Sequence, residues 1–173
     1  MFGGDQAASS LSKRSAMKLG LLVGASFGFC NLVVTYVFPL TEDSPAALAA
    51  FYGPIVAIWS IAGACAARRS GRLSDAAATG AVMATATFVV FVLSVIVRAN
   101  LFLDVLAHRS DWQGLMARYQ ASGFTSLRLF ANYVYLSSAP LVILVATVIG
   151  AIAGLVGGLI GRMAGSKLGP AAG

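Results

Sequence analysis

The chain has 173 residues, 58% of them hydrophobic and only 10% charged, with a formal charge of +6. A soluble domain carries about 25% charged residues, so this composition excludes one, and the apolar stretches leave too little chain for a separate soluble unit of about 50 residues. The basic excess stands at the ends of apolar stretches rather than on one patch or arm, which excludes nucleic acid as the partner it serves.

Four stretches, residues 19–38, 46–67, 76–97 and 137–160, are long and apolar and carry no charge in their interiors. A helix needs about 20 such residues to cross roughly 30 Å of hydrocarbon. The predicted fold is all-α: a polytopic membrane protein with four transmembrane helices in one domain over 1–173, plus an amphipathic interfacial helix in the connection 98–136. The first stretch follows basic residues and could pass for a secretory leader, but it exceeds the 7–15 apolar residues of one, so a retained helix is expected.

Orientation follows from the basic residues. Lys13, Arg14 and Lys18 precede the first span, Arg68, Arg69 and Arg72 follow the second, and Arg162 and Lys167 lie in the tail. The other side holds Arg98, Arg109, Arg118 and Arg128, and a first loop with Glu42 and Asp43. The imbalance places both termini in the cytoplasm.

Within the first span, Gly20, Gly24 and Gly28 form two successive G-x-x-x-G steps, and in the last span Gly150, Gly154 and Gly158 do the same beside a second row of Gly157, Gly161 and Gly165. Such rows clear one helix face for close backbone approach, which matters where packing holds helices together in lipid. Both rows lie at the cytoplasmic depth, so the first and last spans are predicted to touch, antiparallel. Ser60, Gly63, Ala64, Ala67, Ala76, Gly80 and Ala84 repeat the bias at the same end of spans two and three. The opposite halves are bulky, which predicts a bundle tight inside and open outside, with room for lipid, a cofactor tail or a partner helix. The plainer reading is that glycine is common in membrane helices.

Asn31 is the intramembrane polar residue that demands a partner, since hydroxyls can bond back to their own helix. Interhelical glue is its expected role. Cys30 and Cys65 differ in depth by about 13 Å at 1.5 Å per residue, beyond the reach of a bridge, and are expected as buried free thiols.

In the connection, Leu101, Phe102, Val105 and Leu106 recur at helical spacing, predicting that the third helix continues to about His108. Ser110-Asp111-Trp112-Gln113 reads as a capping box, opening a helix with Trp112, Leu115, Met116 and Tyr119 on one face and Gly123 as its left-handed terminator. Thr125 or Ser126 caps a second segment through Phe130, Tyr133 and Tyr135. Pro140 then either sits in the first turn of the last span or kinks a helix continuous from residue 126. Trp112, Tyr119, Phe130, Tyr133 and Tyr135 make an aromatic collar offered to a partner or the interface.

Arg98, Asn100 and Asp104 are the local polar group near a span. Arg98 and Asp104 fall on different helix faces, so Arg98 is expected to meet headgroups, a tyrosine or a partner chain. His108, the lone histidine, is the candidate ligand for haem or pigment and more plainly an interface residue. No carboxylate or cysteine cluster accompanies it, so no metal is expected, and no cofactor-binding fingerprint or catalytic motif is present. The predicted chain is not an enzyme.

The basic segment Ala67-Arg68-Arg69-Ser70-Gly71, the long patterned connection and the Gly-rich final span resemble, in order and layout, a bacterial family of uncharacterised four-span membrane proteins. The resemblance implies the bacterial inner (cytoplasmic) membrane and no active residues. The expected role is a non-catalytic accessory subunit that binds other membrane subunits and lipid through its glycine-rich helices and aromatic segment. The alternative is a small transporter or lipid-handling protein with an outward-facing pocket, although the two halves show no inverted repeat.

Overall fold

Apolar composition and internal backbone hydrogen bonding make helices the only economical way for these stretches to sit in lipid, and helices are what the chain forms. The computed structural model describes the backbone of residues 3–38 and 44–166 and the side chains of 13–38 and 44–164. Glu42, Asp43 and Lys167 lie outside the described residues. Among the described residues four helices are long and apolar enough to cross a membrane: α1 (Gly3–Val37), α2 (Pro45–Ser70), α3 (Leu73–Leu101) and α6 (Leu127–Ser166). Between α3 and α6 come a single turn, α4 (Leu103–Leu106), a 3-10 turn (Ser110–Trp112) and the shorter helix α5 (Gln113–Ser122).

The ends of these elements follow local chemistry. Ser44 caps α2 by accepting from the Ala47 N–H at 3.1 Å, and Pro45 occupies the first turn, where a missing N–H costs nothing. Gly71, at φ 71°, turns the chain from α2 into α3 while its N–H bonds the Ala67 carbonyl at 2.8 Å. Ser126 accepts from the Leu129 N–H at 3.4 Å and starts α6. That helix is continuous for 40 residues, so Pro140 lies inside it and not in its first turn. At 1.5 Å per residue α6 is about 60 Å long, twice the roughly 30 Å of hydrocarbon, so part of it extends beyond the apolar layer.

The packing corrects the predicted pairing of the first and last spans. α3 is the central helix, flanked by α1 on one side and α6 on the other, and α1 and α6 make no more than marginal contact. A Cβ placed on Gly20 would stand 2.6 Å from the Met83 carbonyl oxygen, and one on Gly24 would stand 2.5 Å from that of Thr87; both lie on α3. Gly28 likewise faces Ser94 at 2.7 Å. The α1 row therefore packs on α3 with the two chains running parallel. The α6 row splits between two neighbours: Gly150 and Gly154 press on the backbones of Gly80 and Ala76 in α3, while Gly154 meets Gly63, Gly157 meets Ser60 and Gly161 meets Ala64 on α2. The glycine rows correctly marked close backbone approach, but a row of small residues clears a face without naming the helix that fills it. α3 offers α6 a face of small residues, Ala76, Gly80 and Ala84, while on its other side the α1 glycines supply the clearance against Met83, Thr87 and Val90.

Thr87 ties the centre together. Its hydroxyl donates to the Gly20 carbonyl at 3.1 Å and accepts from Trp59 Nε1 at 3.4 Å, so one fully buried threonine joins α1, α2 and α3. Thr85 and Thr147 share a hydrogen bond of 2.7 Å between α3 and α6. Arg68 Nε donates to the Gly161 carbonyl at 3.2 Å near the termini end of the bundle.

Three further expectations are corrected. The third helix breaks at Phe102 (φ −117°, ψ 24°) before reaching His108, and the break lets Leu106 pack with Ala99, Trp112 and Ala131 in a second small core. The capping box does not form: Ser110 lies inside a 3-10 turn whose cap position is Arg109, and Gln113 reaches back to the Arg109 carbonyl at 3.3 Å. Cys30 and Cys65 are free but exposed on the outside of the bundle, and the core lies elsewhere.

Candidate functional site

The end of the bundle opposite the termini, here the distal end, is where glycine gives way to bulk. α1 and α2 approach each other little there. An aromatic floor spans the gap, with the rings of Phe27 and Phe51 edge to face at 5.4 Å, Phe51 and Phe91 at 5.8 Å, and Tyr52 stacked on Phe88 at 6.3 Å. Above that floor lies a cavity of about 290 Å³. Its walls come from Asn31, Val34, Thr35 and Phe38 at helical spacing on α1, from the first turns of α2, from Phe91, Val95 and Arg98 on α3, and from Arg109 and Tyr135. A wide distal end was legible in the sequence. Its cause is the wedge of large rings among α1, α2 and α3, not a joint between the first and last spans.

Two guanidinium groups border this cavity, and their electrostatic states differ. Arg109 is 5% exposed and forms a two-pronged ion pair with Asp111, with Nε to Oδ1 at 2.9 Å and Nη2 to Oδ2 at 2.7 Å. Its charge is compensated. Arg98 has only neutral partners among the described residues: Nη1 donates to Asn31 Oδ1 at 3.1 Å, and Tyr135 lines the same cavity. Its Nε is buried without a hydrogen-bond partner among the described residues. Arg109–Asp111 is the one salt bridge found among those residues, so Arg98 brings an uncompensated positive charge to the cavity wall. A half-buried guanidinium lacking a counter-charge attracts an anion, for which its planar fork is well shaped.

The partner that Asn31 required is therefore Arg98, and the two sequence signals that stood apart meet in space. Thr35 bonds back to the Asn31 carbonyl at 2.9 Å and helps hold that turn. Asn100 pairs reciprocally with Asn132 on α6, with 2.7 and 3.2 Å bonds, which anchors the end of α3 just beyond Arg98.

Beyond the first cavity, a second of about 220 Å³ continues between α2, α3 and α6. It shares Tyr52, Phe91, Val95 and Tyr135 with the first and adds Phe88, Val92, Ser138, Ala139 and Val142. Its lining is almost wholly apolar.

The collar residues divide. Trp112 and Phe130 are buried inside the chain, Trp112 against the ring of Tyr135 at 6.4 Å and Phe130 between Tyr119 and Phe124 at 5.7 and 5.4 Å. Tyr135 lines both cavities, and Tyr133 remains exposed, with its ring 5.7 Å from that of Phe124. The predicted face of α5 holds: Leu115, Met116 and Tyr119 are half-buried while their neighbours are exposed, and Gly123 ends the helix at φ 74°. His108 is exposed, does not line the cavity, and engages the Asp104 carbonyl through Nδ1 at 2.6 Å. Among the described residues no three His, Cys, Asp or Glu side chains are grouped to hold a metal. The six row glycines, Gly20, Gly24, Gly28, Gly150, Gly154 and Gly158, are all engaged within the bundle.

Sequence reasoning missed Arg109 and Tyr135 as cavity residues. Only Arg109's position two residues before Asp111 hinted at a local ion pair. No protein-family model matches the chain, and neither a curated protein nor a solved structure is similar to it.

Proposed function

We propose that this chain is a non-catalytic multi-pass protein of the bacterial cytoplasmic membrane, with both termini cytoplasmic, that handles an anionic lipid or solute in a pocket opening toward the outer leaflet. One observation carries this reading. Arg98 presents an uncompensated charge to a cavity built from Asn31, Tyr135 and apolar walls. An arginine serving only to snorkel would reach water or headgroups along the protein surface, whereas this one is held inward by Asn31. Its pocket combines mostly apolar walls with a few convergent polar groups, the usual composition of a small-ligand site.

The test is binding in lipid nanodiscs. Phosphatidate added to zwitterionic nanodiscs should raise the thermal stability of the wild-type protein and leave Arg98→Gln unmoved. Equal stabilisation of the two would remove the proposal. The orientation is checked separately: a cysteine introduced at Arg118 should react with a membrane-impermeant maleimide from outside intact cells.

The accessory-subunit reading retains one favouring observation. Phe124, Leu129 and Tyr133 are exposed together at the start of α6, beyond the length needed to cross the hydrocarbon, and large apolar and aromatic residues in such a place suit a neighbouring subunit. Purification in mild detergent should then recover a stoichiometric partner that Tyr133→Ala releases; a monomer with nothing attached speaks against it.

A further inference from the structure

The two distal cavities differ in character and meet edge to edge. The first carries the guanidinium groups, Asn31 and Thr35; the second is a groove of aliphatic and aromatic side chains whose polar lining reduces to Ser138 and Tyr52, with Tyr135 at the seam. Ser138 turns its hydroxyl to the Tyr135 carbonyl at 3.2 Å, so it offers the groove little polarity. A charged site opening onto an apolar slot matches one class of molecule: a hydrocarbon chain bearing an acidic head.

Building on the proposed anion pocket, we propose that both cavities form one site for a single-chain anionic lipid, its phosphate or carboxylate on Arg98 and its chain in the groove between α2, α3 and α6. Charge complementarity selects the head. Arg109 is already satisfied by Asp111, so the site carries about one net positive charge and suits a monoanionic or weakly dianionic head over a polyanion. The groove selects the tail. Phe88, Val92 and Val142 line it without touching the first cavity, so chain recognition and head recognition fall on separate residues. A lipid with two chains could place only one in this slot.

The experiment uses the full-length protein in detergent, with oleoyl lysophosphatidate as the complete probe, glycerol 3-phosphate as its head alone and oleoyl lysophosphatidylcholine as its zwitterionic counterpart, each titrated by native mass spectrometry. Val142→Trp fills the groove at a partly exposed position and leaves the first cavity intact. Lysophosphatidate should bind more tightly than glycerol 3-phosphate, each well-buried methylene contributing up to about fourfold. Val142→Trp should weaken lysophosphatidate about tenfold and leave glycerol 3-phosphate unchanged. Arg98→Gln should weaken both by about tenfold or more, the worth of a charge-assisted hydrogen bond, and abolish the preference over lysophosphatidylcholine. If Arg98→Gln weakens both probes while Val142→Trp changes neither, the chain does not use the groove and this inference falls while the anion pocket stands. If Arg98→Gln leaves both unchanged, the pocket itself falls and the inference with it. Val92→Trp, which closes the groove from α3, repeats the test should Val142→Trp prove misfolded.

Discussion

Replacing Gly24 by alanine tests the arrangement of the whole bundle, because the effect depends on which helix Gly24 faces. The new methyl group would sit 2.5 Å from the Thr87 carbonyl oxygen, where ordinary contact begins near 3.4 Å, so α1 and α3 must separate by about 0.9 Å. The obstacle is backbone and cannot rotate away. Overpacking of this kind costs typically 1–3 kcal/mol. Separation also stretches the 3.1 Å bond from the Thr87 hydroxyl to the Gly20 carbonyl beyond useful length, worth about 0.6 kcal/mol in a membrane bundle. Against this, alanine gains about 0.5–1 kcal/mol over glycine in a helix, leaving a net loss of about 1–2 kcal/mol. Gly114→Ala is the control. It lies in α5 with no atom within 4 Å of the added methyl and no proline after it, so the helix gain stands alone and the protein should become slightly more stable. Steric-trap unfolding in bicelles measures both. Were the two variants equally stable, α1 would not pack on α3 through this row, and the central place given to α3 would be wrong.

Other consequences follow from single contacts. Thr85→Val and Thr147→Val should each cost little more than the double variant, with a coupling of about 0.6–1.7 kcal/mol from their shared 2.7 Å bond in a double-mutant cycle; a coupling near zero would mean that each hydroxyl is satisfied by its own helix. Gly123→Ala forces a side chain into the left-handed conformation at φ 74°, costing about 1 kcal/mol and loosening α5, which hydrogen exchange at residues 113–122 should report as faster exchange there than in the wild type. Asp111→Asn removes the counter-charge from buried Arg109 and should lower stability by about 1–3 kcal/mol, while Asp104→Asn, an exposed carboxylate with no ion pair among the described residues, should change it by less than about 0.5 kcal/mol in the same unfolding assay.

The spans were legible because length and apolarity decide them without reference to neighbours, and the ends at Gly71, Gly123 and Ser126 follow from backbone needs that local residues meet or fail to meet. Partner choice was not legible. Gly20, Gly24 and Gly28 describe a smooth face, and the face opposite could belong to any helix with small residues at matching depth. α3 in fact meets α6 through Ala76, Gly80 and Ala84 and meets α1 through Met83, Ala86, Thr87, Val90 and Ser94, a face of mixed size that no stripe of small residues announces. The capping box failed for a different reason. Ser110 and Gln113 have the right spacing, but the turn begins one residue earlier, with Arg109 in the extended cap position and Ser110 already inside a 3-10 turn, so its hydroxyl is not at the place from which a cap is made.

The same division of residues links packing to the distal cavity. At the termini end, glycine and alanine on α2, α3 and α6 bring backbones into contact, and where the helices are farther apart the space between them is filled only by side chains. Phe51, Tyr52, Phe88 and Phe91 do so at the level of the floor. Farther along, the wall positions are taken by Asn31, Thr35 and Arg98, and a guanidinium held by an amide does not close the gap as a ring would. Replacing Arg98 by methionine, of similar length and without charge, separates packing from charge at this position: a half-buried ion without its counter-ion weighs against folding, so the variant should be as stable as the wild type or more stable in the absence of anionic lipid. Stability given up at such a residue is the pattern of a binding site. A marked loss of stability in Arg98→Met under those conditions would instead make Arg98 a structural post, its bond to Asn31 the reason for its presence.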